Sequence, residues 1–294
     1  MTPTNQMVEV APGVELRILA RNLDQNNDGD AAHGRVPFLL VHGLASNARM
    51  WDGVAEVLAD AGHPVVAVDQ RGHGRSSKPD EGYDFDTIVS DLVALIAALG
   101  WVRPVVAGQS WGGNVAIELG ASHPELAGAI AAVDGGFIEL GDRFRTWDEC
   151  RLALAPPKLV GTPAVTMEQW LRGGHPSWPE SGITGSMANF EVRTDGTIAP
   201  WLSFERHMMI LEALYAHRPS ERYAQLTVPT MLIPADTGDV AWTHDKRAAV
   251  DEALKRLEHG AVRWFSPADH DIHAQYPVEL AEVLLELAHE RSPQ

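Results

Sequence analysis

The feature that most restricts the fold of this 294-residue chain is the stretch from Val105 to Gly113, which reads VVAGQSWGG. We interpret it as a short apolar strand, a sharp turn with Ser110 at its tip, and the start of an amphipathic helix. Gly108, Ser110 and Gly112 fit the G-x-S-x-G pattern of a nucleophile elbow. A strand that turns directly into a helix strains the backbone at the tip, and small residues on either side avoid clashes there. The stretch therefore predicts a serine hydroxyl held up at the carboxyl end of a sheet.

Apolar runs alternate with helical patterns on both sides of this stretch. The eight predicted strands cover residues 7–10, 14–20, 36–41, 64–68, 104–107, 129–133, 227–233 and 262–265. The helices predicted between and after them cover residues 50–61, 86–99, 114–122, 246–259 and 277–288. Nearly continuous apolar strands that alternate with helices are typical of a mostly parallel sheet covered by helices on both faces. Ligands bind at the carboxyl ends of the strands in such sheets.

The alternation stops after the sixth predicted strand. From residue 137 to residue 223 the sequence predicts helices near 140–154, 166–171, 185–190 and 200–217, and no strand. We interpret this segment as a helical cap (lid) domain over the active end of the sheet, with residues 1–136 and 224–294 forming the core domain. The polar stretch from Asn22 to Arg35 is predicted to be a surface loop.

Composition excludes several classes of function. The net charge of −17 disfavours nucleic acid and anionic membranes as partners, because both repel an acidic protein. A single cysteine, Cys150, rules out an internal disulfide and a cysteine-based zinc site, and we expect it to be structural. The first residues lack a basic region followed by an apolar segment, and no apolar run reaches the length of a membrane span. We therefore expect a cytoplasmic protein without a signal peptide, and we leave its oligomeric state open.

A serine hydroxyl becomes a good nucleophile only when an oriented base takes its proton. In an elbow architecture the acid and then the histidine follow the serine along the chain. Asp236 and Asp239 follow the seventh predicted strand, and His270 and His273 follow the eighth. These residues give a candidate Ser-His-Asp triad, with the acid and the histidine each open between two positions.

The chain resembles the α/β-hydrolase fold superfamily, in its capped, esterase- and lipase-like branch. The similarity spans about residues 8–288. It is carried by His42-Gly43, the segment from Asp69 to Ser76, the elbow at Ser110, the insertion after the sixth strand, and His270-x-x-His273-x-x-x-Pro277. The resemblance implies an α/β-hydrolase fold, and it implies that the first histidine of the last motif, His270, is the catalytic one.

The same resemblance ranks the possible acids. Asp239 is preferred for its spacing from the seventh strand and Asp236 is the alternative. Asp134 is third, because some relatives take the acid from the end of the sixth strand. The oxyanion hole is expected to be the backbone amides of Leu44 and Trp111.

These residues predict a serine esterase that works through an acyl-enzyme, without a cofactor or a metal. The substrate is expected to be a small hydrophobic ester, bound by some of His42, Trp147, Trp170, Trp201 and Met208. A lactonase or a C–C bond hydrolase with the same triad remains the alternative, and a non-catalytic receptor on the same fold is a third hypothesis. Relatives with an aspartate nucleophile, the haloalkane dehalogenases and epoxide hydrolases, are similar around Trp111, but Ser110 argues against both activities.

Overall fold

An eight-stranded, mostly parallel sheet forms the centre of the computed structural model, which describes residues 2–23, 35–137 and 139–290. Its strands are β1 Thr4–Ala11, β2 Val14–Arg21, β3 Phe38–Val41, β4 Val65–Val68, β5 Val105–Gln109, β6 Ala129–Val133, β9 Thr230–Ile233 and β10 Gly260–Val262. Their order across the sheet is β1-β2-β4-β3-β5-β6-β9-β10, and β2 alone runs against its neighbours. The predicted α/β-hydrolase fold with eight strands is confirmed. The predicted loop from Asn22 to Arg35 lies mostly outside the described residues.

Helices cover both faces of this sheet. The core helices are α1 Asp52–Asp60, α2 Phe85–Ala98, α3 Trp111–Ser122, α9 Val240–Arg256, α10 Ile272–Gln275 and α11 Pro277–His289. Alternate strand residues point to opposite faces, so that Val66 and Val106 pack with α2 and α3, whereas Val105 and Ala107 pack with α1 and α11. Because both faces are buried, each central strand is apolar along its length, which is why these strands were predictable from the sequence.

The chain between β6 and β9 is mostly helical, and its described residues add no strand to the central sheet. Its described part contains α4 Leu140–Arg143, α5 Trp147–Leu154, α6 Ala164–Gly174, α7 Glu180–Met187 and α8 Phe204–Ala216. It also contains a two-stranded antiparallel sheet of β7 Phe190–Val192 and β8 Ile198–Pro200. The expectation of helices alone is therefore corrected, since two strands of three residues each pair within this segment.

The described helices of the chain include none that is both long and apolar enough to cross a lipid bilayer. Cys150 is buried between Leu140 and Leu211 in an apolar cluster of the inserted segment. Burial raises the pKa of its thiol, which fits the structural role expected from the sequence.

Candidate active site

The turn between β5 and α3 has the backbone geometry of a nucleophile elbow. Ser110 has φ 54° and ψ −119°, a strained conformation for a residue with a side chain. Its amide donates to Val133 O at 2.8 Å, and its carbonyl accepts from Gly113 N at 2.9 Å. A Cβ on Gly108 would overlap the Gly112 carbonyl, so the first glycine of the motif is required by the close crossing of strand and helix. The hydroxyl of Ser110 has no hydrogen-bond partner among the described residues, which leaves it available to a substrate.

His270 lies in the loop between β10 and α10, next to the elbow. Its Nδ1 donates to Asp134 Oδ2 at 2.6 Å, and its backbone carbonyl accepts from Gln109 Nε2 at 3.3 Å. With Nδ1 donating to a carboxylate, the neutral ring carries its free lone pair on Nε2. The half-exposed ring of His270 therefore has the tautomer that a general base needs.

Asp134, the third of the acids considered, occupies the position beside His270. It follows β6 directly, and β6 is hydrogen-bonded to β5, the strand that carries Ser110. Gly135 packs so closely on the Ser110 backbone that a Cβ there would lie 2.7 Å from Ser110 Cα. Neighbouring strands thus bring the acid, the histidine and the serine to one edge of the sheet.

The two acids favoured by the sequence have other surroundings. Asp236 accepts from Gly238 N at 3.0 Å and from Thr243 Oγ1 at 2.9 Å, so it shapes the loop between β9 and α9. Asp239 lies at the end of that loop, where its carbonyl accepts from Thr243 N at the start of α9. We therefore correct the preferred acid from Asp239 to Asp134, because the carboxylate bonded to His270 Nδ1 is the one after β6.

Opposing effects set the protonation of this pair. Desolvation works against the charge of Asp134, but hydrogen bonds from His270 and Lys246 and the charge of both groups hold the pKa of Asp134 below its ordinary value. Desolvation also lowers the pKa of His270. The hydrogen bond to Asp134 and the charges of Asp134 and Asp271 outweigh it and raise the pKa above the ordinary value. Both shifts favour a proton on His270 and a negative charge on Asp134.

Two backbone N–H groups near Ser110, those of Leu44 and Trp111, have no hydrogen-bond acceptor among the residues that the structure describes. A Cβ on Gly43 would lie 3.1 Å from Ser110 Cβ, so the loop after β3 approaches the serine closely. Trp111 begins α3, where the helix dipole favours negative charge. These are the two amides that the sequence indicated for an oxyanion hole.

His42 is the first residue of this loop, directly after β3. It is fully buried, its Nδ1 donates to Gly43 O at 2.7 Å, and its Nε2 accepts from Gln70 N at 3.0 Å. Both ring nitrogens are therefore used by the backbone, and we replace the expected substrate contact of His42 by a role in shaping the loop. His73 repeats the arrangement, with Nδ1 donating to Arg71 O and Nε2 accepting from Ala45 N, and its ring stacks on Trp111.

The remaining predicted substrate residues fall into two groups. Trp147 and Met208 pack in the apolar cluster of the inserted segment, and Leu44 contacts this cluster from the loop after β3. Trp201 is partly buried under the Lys78 ammonium, 5.3 Å from its ring. Trp170 is 57% exposed on α6. The structure thus brings Trp147 and Met208 towards Leu44, and it puts Trp170 on the outer surface.

Two further residues support the site. Lys246 of α9, which was not recognised in the sequence, donates to Asp134 Oδ1 at 2.7 Å. Asp269, next to His270, accepts from Trp178 Nε1 at 3.0 Å and from His175 Nδ1 at 3.3 Å, which ties the inserted segment to the histidine loop. Sequence patterns do not pair such residues, because they come from segments far apart in the chain.

Comparison with known proteins supports the fold. Residues 36–157 match the alpha/beta hydrolase fold family. Epoxide hydrolase A of Mycobacterium tuberculosis (strain ATCC 25618 / H37Rv) is 35% identical over 205 residues, which cover 63% of this chain and 60% of that protein. The 2-(acetamidomethylene)succinate hydrolase of Mesorhizobium japonicum (strain LMG 29417 / CECT 9101 / MAFF 303099) is 27% identical over 166 residues, covering 56% of this chain and 58% of that protein. The chain thus matches less than two thirds of the length of either relative.

A solved structure extends the likeness over the whole fold. The crystal structure of E-2-(acetamidomethylene)succinate hydrolase superimposes with a TM-score of 0.74 at 20% identity, covering 98% of this chain and 99% of that one. The chain therefore has the α/β-hydrolase fold, and residues 36–157 match the model of that family.

Proposed function

We propose that this protein is a serine hydrolase that cleaves a small hydrophobic carboxylic ester through an acyl-enzyme. The observation that carries the proposal is the 2.6 Å hydrogen bond between His270 Nδ1 and Asp134 Oδ2, beside the elbow at Ser110. That bond orients a general base with Nε2 free, which a serine nucleophile requires.

The reaction follows from these positions. His270 Nε2 takes the proton of Ser110 Oγ as the oxygen attacks the ester carbonyl, and the amides of Leu44 and Trp111 stabilise the oxyanion. The protonated His270, stabilised by Asp134, gives its proton to the leaving alkoxide, so that the alcohol departs and the acyl group stays on Ser110. Water then attacks the acyl-enzyme while His270 takes a proton from it. Collapse of this second intermediate releases the carboxylic acid and returns the proton to Ser110.

Trp147, Met208 and Leu44 favour an apolar acyl or alcohol group. All three are partly buried and pack against the cluster of Leu140, Cys150 and Leu211 in the inserted segment. Apolar walls with a few polar groups are typical of small-molecule sites. We accordingly propose that residues 137–223 act as the cap over the serine.

Epoxide hydrolysis is the competing function, because several relatives are epoxide hydrolases. Attack of a serine oxygen on an epoxide carbon would open the ring and leave an ether on the enzyme. Water does not hydrolyse an ether under these conditions, whereas attack by a carboxylate would leave an ester that water can cleave. Ser110 therefore favours acyl transfer over epoxide opening.

The test combines turnover with covalent labelling. We expect an organophosphonate to label the wild-type protein at Ser110, and short-chain p-nitrophenyl esters to be hydrolysed. Ser110→Ala should lose both, and turnover should fall by about 10³-fold or more. Ser90→Ala, which removes an exposed hydroxyl on α2, is the control and should behave as wild type. Ester turnover that persists in Ser110→Ala, or epoxide turnover without ester turnover, would contradict the proposal.

A further inference from the structure

Lys246 is a buried cation next to the proposed triad. Its side chain is 4% exposed, and its Nζ donates to Asp134 Oδ1 at 2.7 Å and to Ala235 O at 2.7 Å. A buried ammonium is costly unless it is paired and hydrogen-bonded, so this position on α9 is tightly constrained. The two bonds connect α9 to the ends of β6 and β9.

The two oxygens of Asp134 have separate partners. Oδ1 accepts from Lys246 Nζ and from Ala235 N at 2.9 Å, whereas Oδ2 accepts from His270 Nδ1. Two donors on Oδ1 fix the plane of the carboxylate, and that plane directs Oδ2 at the histidine. Asp134 also has φ 41°, a conformation that needs such support.

We propose, on the basis of the serine-hydrolase function above, that Lys246 is a positioning residue of the triad: it holds Asp134 ionised with Oδ2 aimed at His270, and it limits how strongly His270 keeps a proton. A carboxylate bound to His270 alone would favour the protonated ring more strongly. The lysine charge offsets part of that effect, so more of the histidine stays neutral and able to act as a base.

The charges around His270 support this balance. Asp134 at the end of β6 and Asp271 in the histidine's own loop raise its pKa, and Lys246 of α9 acts in the opposite direction. Around Asp134, His270 and Lys246 both favour the ionised carboxylate. Arg247, the next residue of α9, is paired with Asp236 instead, at 3.4 Å.

The experiment compares pH profiles of wild type, Lys246→Met and Lys246→Gln. The readouts are kcat/KM for a p-nitrophenyl ester and the rate at which an organophosphonate labels Ser110. We expect both neutral variants to lose about 10- to 100-fold in kcat/KM, and the acidic limb of both profiles to move up by roughly 0.5–1 pH unit. Lys255→Met removes an exposed lysine of the same helix and should leave rate and profile unchanged.

Chemical rescue provides a second arm. Lys246 lines a cavity of about 480 Å³ whose wall also carries four carboxylates and two guanidinium groups, those of Glu139, Asp142, Asp245, Glu252, Arg143 and Arg256. Without the lysine charge the wall is net negative, so a small cation can be drawn into it. We expect n-propylammonium, but not 1-propanol, to restore part of the rate of Lys246→Ala and to return the acidic limb towards its wild-type position. Lys246→Arg, which keeps the charge, should retain the wild-type limb.

The outcomes separate the two proposals. If Lys246→Met and Lys246→Gln fold and the acidic limb of both pH profiles stays at its wild-type pH, the role of Lys246 is overturned and the serine mechanism still stands. If neither neutral variant folds and n-propylammonium does not restore Lys246→Ala, the lysine is structural and the inference is overturned as well. Absence of labelling at Ser110 in wild type would instead overturn the proposed function, and with it the inference.

Discussion

At the scale of single residues, the site depends on which of several strand-end aspartates meets His270. Asp69 follows β4, Asp134 follows β6, and Asp236 lies just after β9. Asp69 binds Arg17 and the amide of Ala48, and Asp236 binds its own loop. Asp134 stands on the strand beside the elbow, so it is the carboxylate within reach of the histidine.

The exchange of Asp134 for asparagine tests this assignment. Asp134→Asn keeps the size of the side chain but removes the charge that stabilises protonated His270. We expect kcat for a p-nitrophenyl ester to fall by about 10³- to 10⁴-fold. Asp239→Asn is the matched control and should change kcat by no more than about threefold. A larger loss in Asp239→Asn than in Asp134→Asn would return the role to Asp239; circular dichroism would verify that both variants fold.

The limits of prediction from sequence are clear at this scale. Ser110 and His270 are recognisable because each stands in a local motif next to a strand. The acid has no such motif, since any aspartate at a strand end satisfies the pattern, and the choice depends on which strands are neighbours. Lys246 was missed for the same reason: its partner is 112 positions away along the chain.

At the scale of elements, the packing of the turn after β6 against the elbow determines the site. The buried central strands were predictable, because sheets covered on both faces need continuous apolar runs. The paired strands β7 and β8 were not, because each has three residues and β7 is largely exposed. The role of Gly135 was not predictable from the sequence either, because it comes from a contact with another element, the elbow.

Gly135→Ala probes that contact. An added Cβ would lie 2.7 Å from Ser110 Cα and closer still to the Ser110 carbonyl oxygen, so the elbow or the turn has to shift. We expect the free energy of unfolding to fall by about 1–3 kcal/mol and kcat/KM to fall by more than about 10-fold. Urea unfolding and ester kinetics measure the two effects.

Gly173→Ala is the control for this substitution. Gly173 lies near the end of α6, and a Cβ there would meet nothing within 4 Å besides the backbone of its own helix. We expect no loss of activity and no loss of stability, because alanine is a better helix former than glycine. Equal behaviour of the two alanine variants would show that the Gly135 contact does not control the site.

At the scale of the whole molecule, several buried histidines are kept neutral by the fold. Burial lowers the pKa of His207 and of His273 to about 4, and it also lowers the pKa of His42 and of His73. His273 packs on Trp51 with ring centroids 4.7 Å apart, and neither of its nitrogens has a partner among the described residues. In the unfolded chain these rings take up protons near pH 6.5.

Stability should therefore decrease as the pH falls from about 6.5 towards 4, because the unfolded state binds more protons than the native one over that range. A single histidine with a native pKa near 4 contributes about 2 kcal/mol to the difference in unfolding free energy between pH 7.5 and pH 5. His273→Phe keeps an aromatic ring against Trp51 and removes the titrating group. The difference in unfolding free energy between pH 7.5 and pH 5 should therefore shrink by about 2 kcal/mol in this variant, whatever its stability at pH 7.5. Urea unfolding at the two pH values measures it, with the exposed His259→Gln as control. An unchanged difference in His273→Phe would mean that the acid sensitivity of the fold comes from other groups.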